Sequence, residues 1–89
     1  SVNNTFLFSY TDALEHEFDE YQSYLTGLFG NDYADRDTDT YHKYYAWLLG
    51  KEGNVGIEAG FSYQSMSVPP PISVPIIPPD TLYVLIAIY

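Results

Sequence analysis

The chain has 89 residues, no cysteine, and twelve acids against Lys43, Lys51 and Arg36, giving a net charge of −9. That length holds one domain, or one domain and an arm, and without cysteine there is neither a disulfide nor a thiolate metal site. So acidic a surface repels phosphates and anionic lipid, which argues against direct nucleic-acid binding and favours a protein partner or plain solubility.

Charge and aromatics are both unevenly spread. Nine of the acids lie between Asp12 and Asp39, and after residue 60 only Asp80 is charged. Ten Tyr, five Phe and Trp47 are more aromatic surface than a core of this size requires, so part of it should meet another chain. No basic stretch followed by an apolar one opens the chain, as a signal peptide would. Localisation is left unknown. The longest uncharged apolar run, Leu82–Tyr89, is too short for a helix to span a bilayer.

Residues 2–10, VNNTFLFSY, read as a short strand with Phe6 and Phe8 on one face and Leu7 on the other. A helix follows to Gly30. Thr11 or Asp12 is placed to cap it, with Glu15 at capping-box spacing from Asp12. Leu14, Phe18, Tyr21, Leu25 and Leu28 form its apolar stripe, with Asp12, Glu15, Asp19 and Gln22 opposite. GNDYADRDTDT reads as a polar loop, and Thr40–Leu49 as a second helix ended by Gly50, with Tyr41, Tyr44, Tyr45 and Leu48 on one face and Trp47 broadening it. From Gly53 the period becomes two: Val55, Ile57, Ala59, Phe61 and Tyr63 alternate with small and polar residues, a half-buried strand. Gly56 and Gly60 in that strand suggest a bulge or the close approach of another backbone.

Residues 67–80, SVPPPISVPIIPPD, form a proline-rich arm. Its prolines lack ladder donors, so it suits polyproline II or a sheet edge, with Ile72, Val74, Ile76 and Ile77 as docking anchors. TLYVLIAIY (81–89) closes as a strand apolar on both faces, belonging to the core or to a neighbouring subunit. The expected architecture is α+β: a single small domain with two helices packed on a small antiparallel sheet, in the order β-α-α-β-arm-β, with residues 1–66 as its core.

Motifs for chemistry are weak. His16-Glu17-Phe18-Asp19-Glu20 places His16 and Glu20 one helical turn apart with Glu17 as a possible base. The second His of a metalloprotease helix is absent, however, and only distant His42 remains as a third ligand. Asp35, Asp37 and Asp39 alternate like the start of a calcium loop, but Thr40 and Ala46 stand where glycine and glutamate are needed. They are weak metal candidates at best, and Asp39 or Thr38 more readily caps a helix. GKEGNVG lacks the phosphate cradle, and Asn3-Asn4-Thr5 is a sequon with meaning only in a secreted chain. No nucleophile, base or cofactor motif survives, so the expectation is a non-enzyme without cofactor.

Two functions fit. In the first, the chain is an assembly subunit of a virion, filament or complex, self-associating through the arm and an aromatic surface of Tyr41, Tyr44, Tyr45 and Trp47. In the second, an acidic face of Asp12, Glu15, Asp19, Glu20, Asp35, Asp37 and Asp39 imitates phosphates and blocks a basic nuclease or nucleic-acid-binding site.

Overall fold

The computed structural model describes residues 2, 4–67 and 76–89. Its main body is a five-stranded antiparallel sheet with one helix on one face. In chain order the elements are β1 (Asn4–Tyr10), α1 (Glu15–Phe29), β2 (Asp35–Thr38), β3 (His42–Leu49), β4 (Val55–Ser62), β5 (Met66–Ser67), β6 (Ile76–Ile77) and β7 (Thr81–Ile88). The sheet runs β1-β7-β4-β3-β2, and β5 and β6 pair separately. The C-terminal strand is therefore interior to the sheet, between β1 and β4 of its own chain.

This overturns the expected pair of helices. HKYYAWLL is β3, not a second helix, and part of the expected polar loop is β2, which pairs with it. The apolar residues of this run satisfy a helical spacing because both faces of the strand are lined with large side chains. Tyr45, Trp47 and Leu49 point to the helix side, while His42, Tyr44, Ala46 and Leu48 point away. Aromatic enrichment and a length of eight residues between turns are the strand signals that decide it. The turn that follows needs Gly50 and Gly53, which sit at φ 86° and 62°.

The helix starts later than its cap residues suggested. Asp12 adopts a left-handed backbone at φ 54°, and Ala13 N–H donates to the Asp80 carbonyl at 2.8 Å. The α1 N-terminus is instead closed by Glu17, whose carboxylate accepts from Leu14 N–H at 2.8 Å. That is half a capping box, since Leu14 has no oxygen to return. Asp80, also at φ 54°, donates its N–H to the Ser62 carbonyl. The turns before α1 and before β7 are thus tied together at the end of β4.

Between helix and sheet the core is an aromatic mesh. Phe18, Leu25, Trp47, Ala59 and Phe61 are buried, with Tyr21, Phe29, Tyr33, Tyr45, Leu82 and Val84 packed around them. Phe29 and Tyr33 meet Trp47 edge-on at 5.7 and 5.6 Å. The Trp47 indole N–H donates to the Gly30 carbonyl at 2.8 Å, satisfying a helix-end acceptor. On the opposite face, Ile77 and Met66 of the small hairpin cover Tyr83 and Leu7.

Candidate functional site

The two flanks of α1 differ. Toward β2 and β3 the contacts are polar: Lys43 Nζ donates to Glu15 (2.6 Å) and Asp19 (2.5 Å), and Gln22 and Thr26 reach the Tyr33 hydroxyl. Burial works against the Lys43 ammonium, but the two carboxylates outweigh it and hold it above the usual lysine range. In return, the hydrogen bond from Lys43 lowers Glu15.

Toward β1 and β7 the flank is apolar and open. Tyr21, Tyr24 and Leu28 follow one another at helical i, i+3, i+7 spacing. Tyr21 lines a cavity of about 200 Å³ with Phe8, Ser9, Tyr10, Leu82 and Val84. Phe6, Phe8 and Tyr10 pair with Ile86, Val84 and Leu82, so they lie on the helix-side face. Phe8 is 59% exposed and Tyr24 62%, and Phe6, Tyr10 and Leu28 are exposed too. Floor and wall together form an aromatic groove along the edge strand.

The open face carries a buried polar chain. Tyr83, 1% exposed, donates its hydroxyl to Glu58 Oε2 at 2.7 Å and meets His42 Nδ1 at 2.9 Å. His42 Nε2 lies 3.6 Å from Asp39. Burial, then the nearby Glu58 charge, push the Tyr83 phenol far above its ordinary range. So enclosed and hydrogen-bonded on both sides, the phenol is a crosslink between β3, β4 and β7. Beside it, Tyr44 donates to Asp35 at 2.8 Å, a bond that pushes Tyr44 up to about 12. Further along this face a second apolar cavity, about 160 Å³, is lined by Leu48, Gly56, Leu85, Ala87 and Tyr89.

The residues singled out from sequence are dispersed. Trp47 is in the core and Tyr45 packs against it from the same face, while Tyr44 lies on the other face and Tyr41 is exposed at a turn. Ile77 is buried in its own chain and Ile76 is exposed; Ile72 and Val74 lie outside the described residues. The acids form no single face. Glu15 and Asp19 are engaged by Lys43, Asp35 by Tyr44, and Asp39 accepts from the backbone N–H groups of His42 and Tyr41, which lower it. Asp12 sits in the β1–α1 turn, and Glu20 and Asp37 are exposed.

Among the described residues no group of three or more His, Asp or Glu is arranged to hold a metal ion, Asp35, Asp37 and Asp39 included. Nor is any helix among them long and apolar enough to cross a membrane. No protein-family model, curated protein or solved structure significantly matches the chain.

The sequence places Phe6 and Phe8 on one face but not Tyr10 with them, and it assigns Leu28 to the buried stripe of α1, where the structure leaves it exposed beside Tyr24 on the helix. The available signal was Tyr24, one large aromatic outside the core stripe of α1.

Proposed function

We propose that this chain is a non-enzymatic assembly subunit that docks on neighbouring protein chains through the aromatic groove between α1 and β1. One observation carries the reading: Phe6, Phe8 and Tyr10 stand exposed on the helix-side face of edge strand β1, and Tyr24 and Leu28 are exposed on the flank of α1 that carries Tyr21, which shares a cavity with Phe8 and Tyr10. Isolated exposed apolar residues are ordinary, whereas a contiguous set beside a free strand edge marks an interaction site. Tyrosine and phenylalanine also suit an interface, bringing much contact area with few rotatable bonds.

The internal engagement of Glu15, Asp19, Asp35 and Asp39 favours this reading over phosphate mimicry, which needs carboxylates free to meet a basic partner. The test is solution mass across a concentration series, for the parent chain and for Tyr24→Ser/Leu28→Ser. Both substituted side chains face solvent, so the variant should keep its fold. A parent that assembles and a folded variant that assembles about tenfold more weakly are expected. A parent that stays monomeric throughout refutes the reading.

A further inference from the structure

The two edges of the sheet are built differently. The β2 edge is short, four residues, and three of them are charged: Asp35, Arg36 and Asp37. That is a protected edge. The β1 edge runs seven residues, NTFLFSY, with no charge and no proline. Among the described residues no strand pairs with its outer side.

The direction of its free hydrogen-bonding groups follows from the ladder. Tyr89 N–H donates to the Asn54 carbonyl, which continues the β4–β7 register in which odd β7 residues face even β4 residues. Odd residues of β7 therefore direct their backbone groups at β4, and even ones direct theirs at β1. The partners of those even residues are Asn4, Phe6, Phe8 and Tyr10. By alternation, the backbone N–H and C=O groups of Thr5, Leu7 and Ser9 point off the sheet.

We propose that this edge is a self-recognition seam, in which two copies pair antiparallel along β1 about a twofold axis at Leu7. The proposal rests on the assembly reading above and names its partner as a second copy. Centring the pairing on Leu7 overlaps all seven residues. It puts Leu7 opposite Leu7 and Thr5 opposite Ser9, the residues with outward backbone groups, in a ladder of about six hydrogen bonds. On the helix-side face it puts Phe6 opposite Phe8 twice, at the close, non-hydrogen-bonded positions where aromatic pairs interact best. On the other face two Leu7 side chains meet. Each strand is thus the complement of itself, as a twofold interface requires.

Charge also selects a second copy. At −9 two copies repel over most of their surface, but residues 4–10 carry no Asp, Glu, Lys or Arg. A basic partner would find nothing on this strand to recognise, whereas an identical neutral strand meets no opposing charge.

The full-length chain is tested by sedimentation velocity from low-micromolar to submillimolar concentration, with two kinds of variant. Ser9→Pro removes an outward N–H and leaves the β7 ladder intact, a place where an edge strand accepts proline. Cross-linking uses the natural lack of cysteine: opposed residues of such a pair lie about 5.5 Å apart at Cα, within disulfide reach. Thr5→Cys and Ser9→Cys should each stay uncrosslinked alone and form a disulfide heterodimer when mixed.

The expected result is a parent dimer, a folded Ser9→Pro chain with dimerisation weakened about tenfold or more, and cross-linking only on mixing. If the parent assembles but Ser9→Pro assembles equally well and mixing gives no cross-link, the seam is overturned and groove-mediated assembly stands. A parent that is monomeric at every concentration overturns both. Should Ser9→Pro unfold, the mixing experiment decides alone.

Discussion

Gly60 is a glycine for a reason outside its own backbone, and substituting it tests the packing of the open face. Its φ is not left-handed, so backbone freedom is not what the position needs. A Cβ added there would collide with Cζ, Oη and Cε1 of Tyr83. Tyr83 cannot swing away, being buried beneath Ile77 and Met66 and fixed through its hydroxyl to Glu58 and His42. At an unstrained strand position Gly→Ala ordinarily stabilises by about 0.4–1 kcal/mol. Here overpacking should cost about 3 kcal/mol, the upper end for a rigid site. For a domain of this size that lowers Tm by roughly 12–24 °C. Urea unfolding read by Trp47, the one tryptophan and 2% exposed, measures it directly. The sharper measurement is a double-mutant cycle with Tyr83→Leu, which takes away the ring. The cost of Gly60→Ala should then fall by about 2 kcal/mol or more. A Gly60→Ala chain as stable as its parent, or a penalty unchanged in the Tyr83→Leu background, would refute this account of the glycine.

Stability should decline at alkaline pH, beginning near pH 10. Burial and Glu58 raise Tyr83, the Asp35 hydrogen bond raises Tyr44, and the carboxylates of Asp19 and Glu15 raise Lys43 against the effect of its burial. Above the unfolded tyrosine value of about 10 the unfolded chain loses protons that the folded chain retains, so unfolding is favoured as pH rises. Tyr83→Phe should flatten this limb while lowering neutral-pH stability by about 1–3 kcal/mol through the stranded Glu58 carboxylate; an alkaline slope as steep as the parent's would count against Tyr83 as its source. At the acid end the sign reverses. Glu15, held down by Lys43, and Asp39, held down by the backbone N–H groups of His42 and Tyr41, keep their charge in the folded state to lower pH than when unfolded. Stability is therefore lost as pH falls below about 4. Lys43→Met should reduce the Glu15 share of that loss and cost no more than about 1 kcal/mol at pH 7, because Glu15 and Asp19 are half exposed; acid titration curves identical to the parent's would show that the bridge contributes nothing.

Legibility followed how different the two faces of an element are in composition. The alternation of Val55, Ile57, Ala59 and Phe61 identified β4 because its other side carries Gly56, Glu58 and Gly60, small or polar residues that leave the period clean. Gly56, Gly60 and Ser62 are buried too, however, so the strand is covered on both faces, not half-buried as expected. The α1 stripe was legible in its centre, where Phe18 and Leu25 are buried, but not at its ends: Leu14 precedes the helix, and it and Leu28 are exposed. The β3 run failed because Tyr44, Ala46 and Leu48 on one side and Tyr45, Trp47 and Leu49 on the other erase the period, and a helical spacing can then be picked out of a strand. The glycines of β4 did signal close approach, but what approaches is a tyrosine side chain and not a backbone: Tyr83 at Gly60 and Tyr89 at Gly56. Ionic contacts such as Lys43 with Glu15 and Asp19 join residues more than twenty positions apart and depend on topology, which composition does not supply. The groove was half visible. Phe6 and Phe8 were assigned a common face, but which helix flank would stand beside them depended on β7 inserting between β1 and β4.

The dimensions of the fold give the groove its meaning. Five strands at about 4.8 Å spacing make a face roughly 20–25 Å wide, and one helix with its side chains is about 10–12 Å across. A single helix therefore leaves about half of that face bare, whichever strand it sits over. On the β2 side the sequence answers with polar and charged residues and with Arg36 laid over the Tyr45 and Tyr33 rings at 4.9 and 5.4 Å, a cover made from a surface side chain. On the β1 side it answers with Phe6, Phe8 and Tyr10 on the floor and Tyr24 and Leu28 on the wall, none of them covered. If solubility alone shaped the bare strips, both would be polar, since neither contributes to the central core. That difference is what the proposed assembly role rests on, and the uncharged, self-complementary order of residues 4–10 is why a second copy is the partner proposed for it.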